Sequence, residues 1–432
     1  MRLKTLQVEK FKGLNDFCID FNDGITVLIG ENGTGKTTIL ETVYRMLNYE
    51  VINIKDKMIS ELHNNMKQDP FLVQDSEFKG CKIELDLDKE KGWIVEGYIK
   101  EDGRIYDNAM ILELKRNINN GVSMNGNWSL LNHIASRTIV GQQRKDIPHV
   151  VYMPTEINFK KYKVDSVKRQ DRVAGFGIIL NSETVSTELK DFLVYQHYRD
   201  LEDKESGKKG DRIKKYKDLY NSFFEDKEFI GIKDLEPLFK IKSTGETHSV
   251  DELSSGEKQI FFRAGSILEY NLENSIILID EPEISMHPEW QQKILDFYRK
   301  VAGKNQLIIA THSPHIVSSC RKEEVRVLVR ENDKVQIKEY IEGTYGRTIE
   351  QLLFSVFDLK SVRDANVQEK IDRFKALYIN KENLNDDKKS EMNKLKIELT
   401  SFLDPDDPEL SLIDIEENTN KLKTLLNDLK GK

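Results

Sequence analysis

The residues best equipped for chemistry fall into four short runs. The first, GENGTGKT, covers Gly30 to Thr37 and fits the pattern GxxxxGK[ST]. Glycines there let the backbone curl so that its N–H groups face phosphate oxygens. A helix N-terminus directly behind adds favourable potential for anions. Lys36 would reach the β- and γ-phosphates of a nucleotide, and Thr37 would hold Mg²⁺. The candidate ATP-binding residues are therefore Gly30, Asn32, Gly33, Thr34, Gly35, Lys36, Thr37 and Thr38. The second run, SIILIDEPE, spans Ser275 to Glu283. An apolar strand ending in adjacent acids brings a carboxylate to the metal shell of a bound nucleotide. Asp280 is the candidate metal residue beside Thr37. Glu281, one residue on, is the candidate general base that polarises the attacking water.

Two further runs are less decisive by themselves. LSSGEKQ, Leu253 to Gln259, is a capping box, with Ser254 as N-cap and Glu257 three residues later. A capped helix start that contains a glycine also suits an anion, and the residues alone do not choose between the two. ATHSP, Ala310 to Pro314, closes the next apolar strand. His312 either meets a γ-phosphate or a water, or is an ordinary polar residue at a strand end.

These runs need elements to hold them. ITVLI (25–29) is a continuous apolar run, the mark of a strand buried on both faces. The helix predicted over 36–47 places Ile39, Leu40, Val43, Met46 and Leu47 on one stripe, so the loop lies between a buried strand and a helix. SIILID (275–280) and QLIIATH (306–312) are buried strands separated by a helix near 289–301, which implies parallel pairing. Residues 2–8, 17–21 and 149–153 read as further strands. KIELDLD with WIVEGYIK, and RVLVR with VQIKEYI, read as hairpins. Residues 183–200 and 211–226 carry apolar residues at helical spacing, with GKKG (207–210) turning one helix back on the other. From about 346 the chain reads as helices. Their stripes are Val367, Ile371, Phe374 and Tyr378; Met392, Leu395, Leu399 and Phe402; and Leu422, Leu425, Leu426 and Leu429. Such stripes must bury against something: the head itself, a sister copy or another chain.

Composition narrows the class. At about 150 residues per domain, 432 residues suggest two or three domains. Charged residues make up 32% against a usual ~25%, so much helix surface is solvated. The net charge of −8 argues against a wholly basic nucleic-acid binder. FKKYK (159–163) and KESGKKGDRIKKYK (204–217) are local basic stretches, favoured as solvated surface over DNA contacts. Three scattered cysteines, Cys18, Cys81 and Cys320, argue against a disulfide framework or a zinc ribbon. No apolar signal segment opens the chain, and no apolar stretch is long enough to span a bilayer. The expectation is a cytoplasmic protein.

Taken in order, FKG near the start, GENGTGKT, LSSGEKQ, the apolar run into DEPE, and ATHSP resemble the ABC-type ATPases of the RecF/SMC branch, over roughly residues 1–330. The resemblance implies heads that stack head to tail, each ATP lying between the P-loop of one and the LSSGEKQ run of the other. Ser254 and Gly256 would then bind in trans the γ-phosphate held on a second copy. His312 would be the switch histidine, and Lys12, in the FKG turn, would reach the nucleotide. Ile284, His287 and Pro288 resemble the D-loop region of the non-transporter members. The branch's Q-loop glutamine should follow the 149–153 strand. This chain reads MPTEINF there, and Gln142 and Gln143 precede the strand, so no Q-loop residue is assigned. The tail, from YGRTIEQLLFSVFDLKSVRDANVQEKI to LDPDDPEL, resembles the compact PtuA-like ATPases of Septu anti-phage systems. These are paired with a separate HNH nuclease, PtuB.

The expectation is thus an α/β fold with an ABC-type P-loop ATPase head of mixed sheet and helices. The head has two parts, 1–155 with the P-loop and 246–345 with the signature run, Asp280 and His312. A short helical-hairpin insertion (156–245) divides them, and a helical C-terminal domain (346–432) serves oligomerisation or partner docking. The resemblance implies an ATPase with cofactors ATP and Mg²⁺ that is not itself a nuclease. Its partners would be itself, as a head-to-tail dimer or higher homo-oligomer, and an HNH nuclease. DNA would be met directly or through that nuclease, and no membrane is involved. The alternatives are a RecF-like DNA-repair ATPase and an ATP-sensing scaffold with little or no hydrolysis.

Overall fold

The computed structural model describes residues 1–48, 80–87, 90–100, 109–118, 121–124, 148–155, 159, 161–169, 177–180, 182–338, 343–404 and 407–408. Gln142, Gln143 and the leucine stripe at 422–429 lie outside the described residues. In chain order the strands are β1 (Arg2–Phe11), β2 (Leu14–Asp20), β3 (Ile25–Gly30), β4 (Gly80–Leu87), β5 (Glu90–Lys100), β6 (Ala109–Ile118), β7 (Gly121–Met124) and β8 (Val150–Met153). There follow β9 (Gly177–Ile179), β10 (Lys227–Lys233), β11 (Glu236–Ile241), β12 (Thr247–Ser249), β13 (Ile276–Asp280), β14 (Gln306–Thr311), β15 (Val325–Glu331) and β16 (Lys334–Lys338). The chain divides into two compact units, Met1–Leu352 and Leu353–Lys432.

The central sheet of the first unit has the order β16-β15-β3-β14-β13-β8-β9. Its pairings are parallel except for β15 with β16. β3 sits between β15 and β14 and is buried along its whole length. This is why its residues are apolar without alternation. β13 and β14 pair in parallel from Ile276 opposite Gln306 to Asp280 opposite Ala310. The Pro288–Ala302 helix joins them. Thr311 in turn lies opposite Ile29. The carboxyl ends of β3, β14 and β13 therefore share one edge, where open parallel sheets present their ligand-binding residues.

A second, antiparallel sheet runs β2-β1-β4-β5-β6-β7. Helix α1 (Lys36–Asn48) shares a core with both sheets. Its Ile39, Leu40, Val43, Met46 and Leu47 cluster with Leu3, Leu6 and Phe11 of β1, Ile83 and Leu85 of β4, and Ile276 and Leu278 of β13. Burying an aliphatic side chain of this kind contributes roughly 1.5–3 kcal/mol, so five of them anchor the helix behind the phosphate loop firmly.

Between β9 and β13 the chain forms a helix at Ser182–Glu205, turns at Gly207 (φ 70°), and returns through a helix at Lys214–Asn221. The second arm has 8 residues against 24 in the first, shorter than the spacing over 211–226 predicts. Asp200 clamps the return, accepting from the backbone N–H groups of Arg212 and Ile213 at 3.0 Å each. Residues 227–249 then form a small sheet, β10-β11-β12, which the periodicity reading does not contain. The reason is its turn. Asp234 and Leu235 both adopt positive φ, 50° and 61°, between paired Lys233 and Glu236. Such two-residue turns are normally recognised by Asn-Gly or Asp-Gly, and Asp-Leu does not advertise one. The β15–β16 hairpin uses the same backbone at Asn332 and Asp333.

In the second unit, helices at Ala365–Ile379 and Asp386–Phe402 lie antiparallel, since Lys370 pairs with Glu398 and Arg373 with Glu391. Ile371, Phe374 and Leu399 form their buried centre, with Val367, Tyr378, Met392 and Leu395 around it. Two of the three predicted stripes thus cover each other. The fold is a mixed α/β head with a helical-hairpin insertion and a helical C-terminal region. Among the described residues no helix is long and apolar enough to cross a membrane.

Candidate functional site

The loop after β3 is shaped by its glycines. Gly33 and Gly35 take φ of 81° and 86°, a region costly for other residues. A Cβ on Gly30 would strike the Leu328 carbonyl of neighbouring β15. Thr34 donates its hydroxyl to the Glu31 carbonyl at 2.9 Å. The Lys36 ammonium crosses the loop and donates to the carbonyls of Gly30 (2.8 Å) and Glu31 (3.0 Å). Burial pushes its pKa down to about 8, against the opposing pull of Glu281, Asp280 and Glu283. Asn32 is exposed, and Thr38 accepts from the Thr42 hydroxyl through its carbonyl.

Asp280 ends β13 with its side chain in this loop. Its Oδ2 accepts from the Thr37 hydroxyl at 2.9 Å and from the Thr155 hydroxyl at 2.9 Å. Its Oδ1 is buried without a hydrogen-bond partner. A buried carboxylate oxygen left unpaired is costly, and burial accordingly raises the Asp280 pKa, with the two hydroxyls opposing. A hard dication bound by oxygen ligands fits this set: Thr37 and Asp280 supply the donors, and the orphaned Oδ1 supplies the reason for one.

Glu281 follows at φ 42°, a left-handed conformation that a non-glycine residue holds at a cost of order 1–3 kcal/mol, most often at functional sites. Its N–H donates to the Ala310 carbonyl at 2.9 Å, one step beyond the β13–β14 register. His312 closes the group from the end of β14, with Nε2 at 3.5 Å from a Glu281 oxygen. Burial, and then the Lys36 charge, hold the imidazole below its ordinary pKa, which favours the neutral ring. Glu283 anchors this strand end. It is 9% exposed, and its Oε1 accepts from the Thr311 hydroxyl (2.6 Å) and the His312 N–H (2.8 Å).

Lys36, Thr37, Asp280, Glu281 and His312 are therefore brought together. Lys12 is not part of that group. It sits at φ 43° in the β1–β2 turn, with its ammonium 3.4 Å from Glu41 of α1. Ser254 and Gly256 lie on a separate stretch. Ser254 is an exposed N-cap in a complete capping box with Glu257. Gly256 is buried, and a Cβ there would sit 2.6 Å from the Ser285 carbonyl. Gln259, at the end of the run, donates to the Ile284 carbonyl at 2.7 Å. The signature run is thus stitched to the segment after DEPE within one chain. His287 caps the Pro288–Ala302 helix, with Pro288 in its first turn.

Four residues escape a reading of motifs. Thr155 lies two residues past the end of β8, where the resemblance places a Q-loop residue. Arg330 of β15 donates to the Gly33 carbonyl at 2.7 Å. Glu283 is the third acid of DEPE. Arg263 donates to the carbonyls of Asp280 (3.4 Å) and Pro154 (2.6 Å). The one sequence signal among these is Arg263, a cation embedded in the apolar run IFFRAG.

Several known proteins are similar to this chain. A model of the AAA ATPase domain matches residues 1–317. Septu protein PtuA of Bacillus thuringiensis is 24% identical over 440 residues, covering 96% of this chain and 97% of that one. The Retron Vc95 probable ATPase of Vibrio cholerae serotype O1 biovar El Tor is 21% identical, covering 82% of this chain and 78% of that one. Among solved structures, an SMC head bound to the C-winged helix domain of ScpA aligns at a TM-score of 0.47 and 13% identity, over 78% of this chain and 97% of that one. With the phosphate loop, the signature run, Asp280, Glu281 and His312 all inside the matched span, this chain belongs to the AAA ATPase domain family.

Proposed function

We propose that the chain binds ATP with Mg²⁺, hydrolyses it, and uses the cycle to control a partner nuclease of HNH type in bacterial anti-phage defence, in the cytoplasm. The observation that carries the ATPase reading is the Asp280 carboxylate. One oxygen receives the Thr37 hydroxyl at the phosphate loop and the other is buried and unpaired. Lys36, released from the loop carbonyls, holds the β- and γ-phosphates. Mg²⁺ held by Thr37 and Asp280 would neutralise charge on those phosphates. Glu281 takes the proton of the attacking water, and the neutral His312 beside it orients that water or the γ-phosphate. Lys12, beside Glu41 in the β1–β2 turn, would have to leave that carboxylate to reach the nucleotide.

The position of Ser254 supports self-association. It is exposed at a capped helix start, within a run that, among the described residues, makes no hydrogen bond to its own phosphate loop. In a head-to-tail pair, Ser254 and the adjacent Gly256 backbone would face the γ-phosphate of the second copy. Likeness to Septu protein PtuA over nearly the full chain supports the defence role; the separate effector is what the resemblance of the tail to PtuA-like ATPases implies.

Light scattering with ATP and Mg²⁺ tests the core of this reading. Glu281→Gln, which retains ATP, should form a larger species than the protein without nucleotide. Ser254→Arg in that background should leave single copies still bound to ATP. A Glu281→Gln protein with the same mass with and without ATP would remove the head-to-tail arrangement. Co-purification with a co-expressed HNH protein tests the partner.

A further inference from the structure

The helical stretch that begins at Ser255 contains a wide turn, Ile260–Ala264, with π-type hydrogen bonding, before it resumes at Gly265–Glu269. Such turns have identifiable causes, including a side chain that inserts into the helix ladder. Here the side chain that reaches the turn is Tyr220, whose hydroxyl donates at 2.8 Å to the Phe261 carbonyl, an oxygen that also accepts from the Gly265 N–H. Tyr220 is fully buried and comes from the short Lys214–Asn221 helix of the insertion. Its ring stacks on Phe261 with centroids 4.8 Å apart, and meets Phe229 edge-on at 5.2 Å. Gly265 completes the fit: a Cβ there would collide with the Tyr220 hydroxyl and come within 2.6 Å of Leu189. Residues from three elements agree on one distorted geometry, which marks it as built rather than incidental.

The wide turn carries Arg263, which is 3% exposed. Its guanidinium bonds the carbonyls of Pro154 and Asp280. These carbonyls lie just beyond the last registered pair of β8 and β13, Met153 opposite Ile279. The guanidinium therefore ties the two strand ends together at the point where Thr155 donates to the Asp280 carboxylate. A fixed planar cation between two strand ends determines how far apart they lie.

We propose that Tyr220 and Arg263 are positioning residues for the Asp280 carboxylate. Tyr220 sets the wide turn, the turn sets Arg263, and Arg263 sets the strand ends that present Asp280 and Thr155 to the cation. The insertion is thereby linked mechanically to the Mg²⁺ site. This inference rests on the ATP·Mg²⁺ reading of that site.

The test uses the full chain with Tyr220→Phe, Arg263→Lys, Arg263→Met and the double variant Tyr220→Phe/Arg263→Met. Binding of a fluorescent ATP analogue is titrated in EDTA and across a range of Mg²⁺, Mn²⁺ binding is followed by electron paramagnetic resonance, and thermal midpoints are recorded. The expected result is metal-free nucleotide affinity within about twofold of wild type. Half-saturating Mg²⁺ should rise about tenfold in Arg263→Met and about threefold in Tyr220→Phe, with Arg263→Lys in between. The double variant should be no worse than Arg263→Met, because residues acting through one chain of contacts are not additive. Should Arg263→Met not fold, Tyr220→Phe and Arg263→Lys decide the matter. A Tyr220→Phe protein with a lower thermal midpoint but unchanged cation dependence, or strict additivity in the double variant, would overturn the link. Wild-type protein that binds nucleotide with no response to either cation would sink the site reading, and this proposal with it.

Discussion

The phosphate-loop end of the head and the C-terminal helix pair use charge in opposite ways. In the head, Lys36, Asp280, Arg263 and Glu283 are all buried, each bonded to main chain or to a hydroxyl. In the helix pair, Arg373–Glu391 and Lys370–Glu398 lie on the surface around a small apolar centre. Burying charge is expensive unless every group is compensated, whereas exposed pairs contribute little. The head maintains an arrangement that stability alone does not require. The helix pair carries one that amphipathic packing explains without any chemistry. The backbone says the same: Glu281 and Ser285 are held at positive φ around the acidic strand end.

That contrast can be broken by experiment, and the sharpest attempt is at Glu281. Glu281→Gln should still bind ATP but release phosphate at least ~100-fold more slowly, as loss of a general base demands. Lys36→Ala should lose binding instead. Unchanged turnover in Glu281→Gln would remove it as the base. Next in size is Gly256→Val. The added side chain must displace the Ser285 carbonyl, so turnover should fall together with a drop of several degrees in the thermal midpoint. Native turnover in that variant would show that the segment after DEPE can shift freely.

Changes in the helix pair should act on stability alone. Leu399→Ala should cost about 2–3 kcal/mol of local stability, seen as faster amide exchange over 365–402, with ATP turnover unaltered. The double change Leu395→Asp with Leu399→Asp should melt the pair outright, because Leu399 belongs to its buried centre. It therefore does not serve to expose a docking face, the use that the stripes alone suggest. Smallest of all, Arg373→Ala should leave the thermal midpoint where it is, since its partner Glu391 is a surface group. A clear loss there would show that this pair does more than decorate a helix.

By itself the sequence determined the elements whose signal is local. The loop from Gly30 to Thr37 lies between β3 and α1 because a buried strand, a glycine-rich turn and an amphipathic stripe are each readable within a dozen residues. Asp280, Glu281 and His312 were legible as strand-end residues for the same reason. The capping box at Ser254 was legible from its spacing. The β10–β12 sheet was not, because its Asp-Leu turn lacks the usual residues. The tail stripes were legible as stripes, but a stripe does not name what covers it, and only the fold pairs the first with the second. Thr155 and Tyr220 were beyond reach for a deeper reason. Each acts on a group far away in the chain, Thr155 on Asp280 at a separation of 125 positions and Tyr220 on Phe261 at 41. Hydrogen bonds of that reach leave no period and no motif. They exist because parallel strands and a distorted helix converge on one point, and that convergence is a property of the tertiary structure.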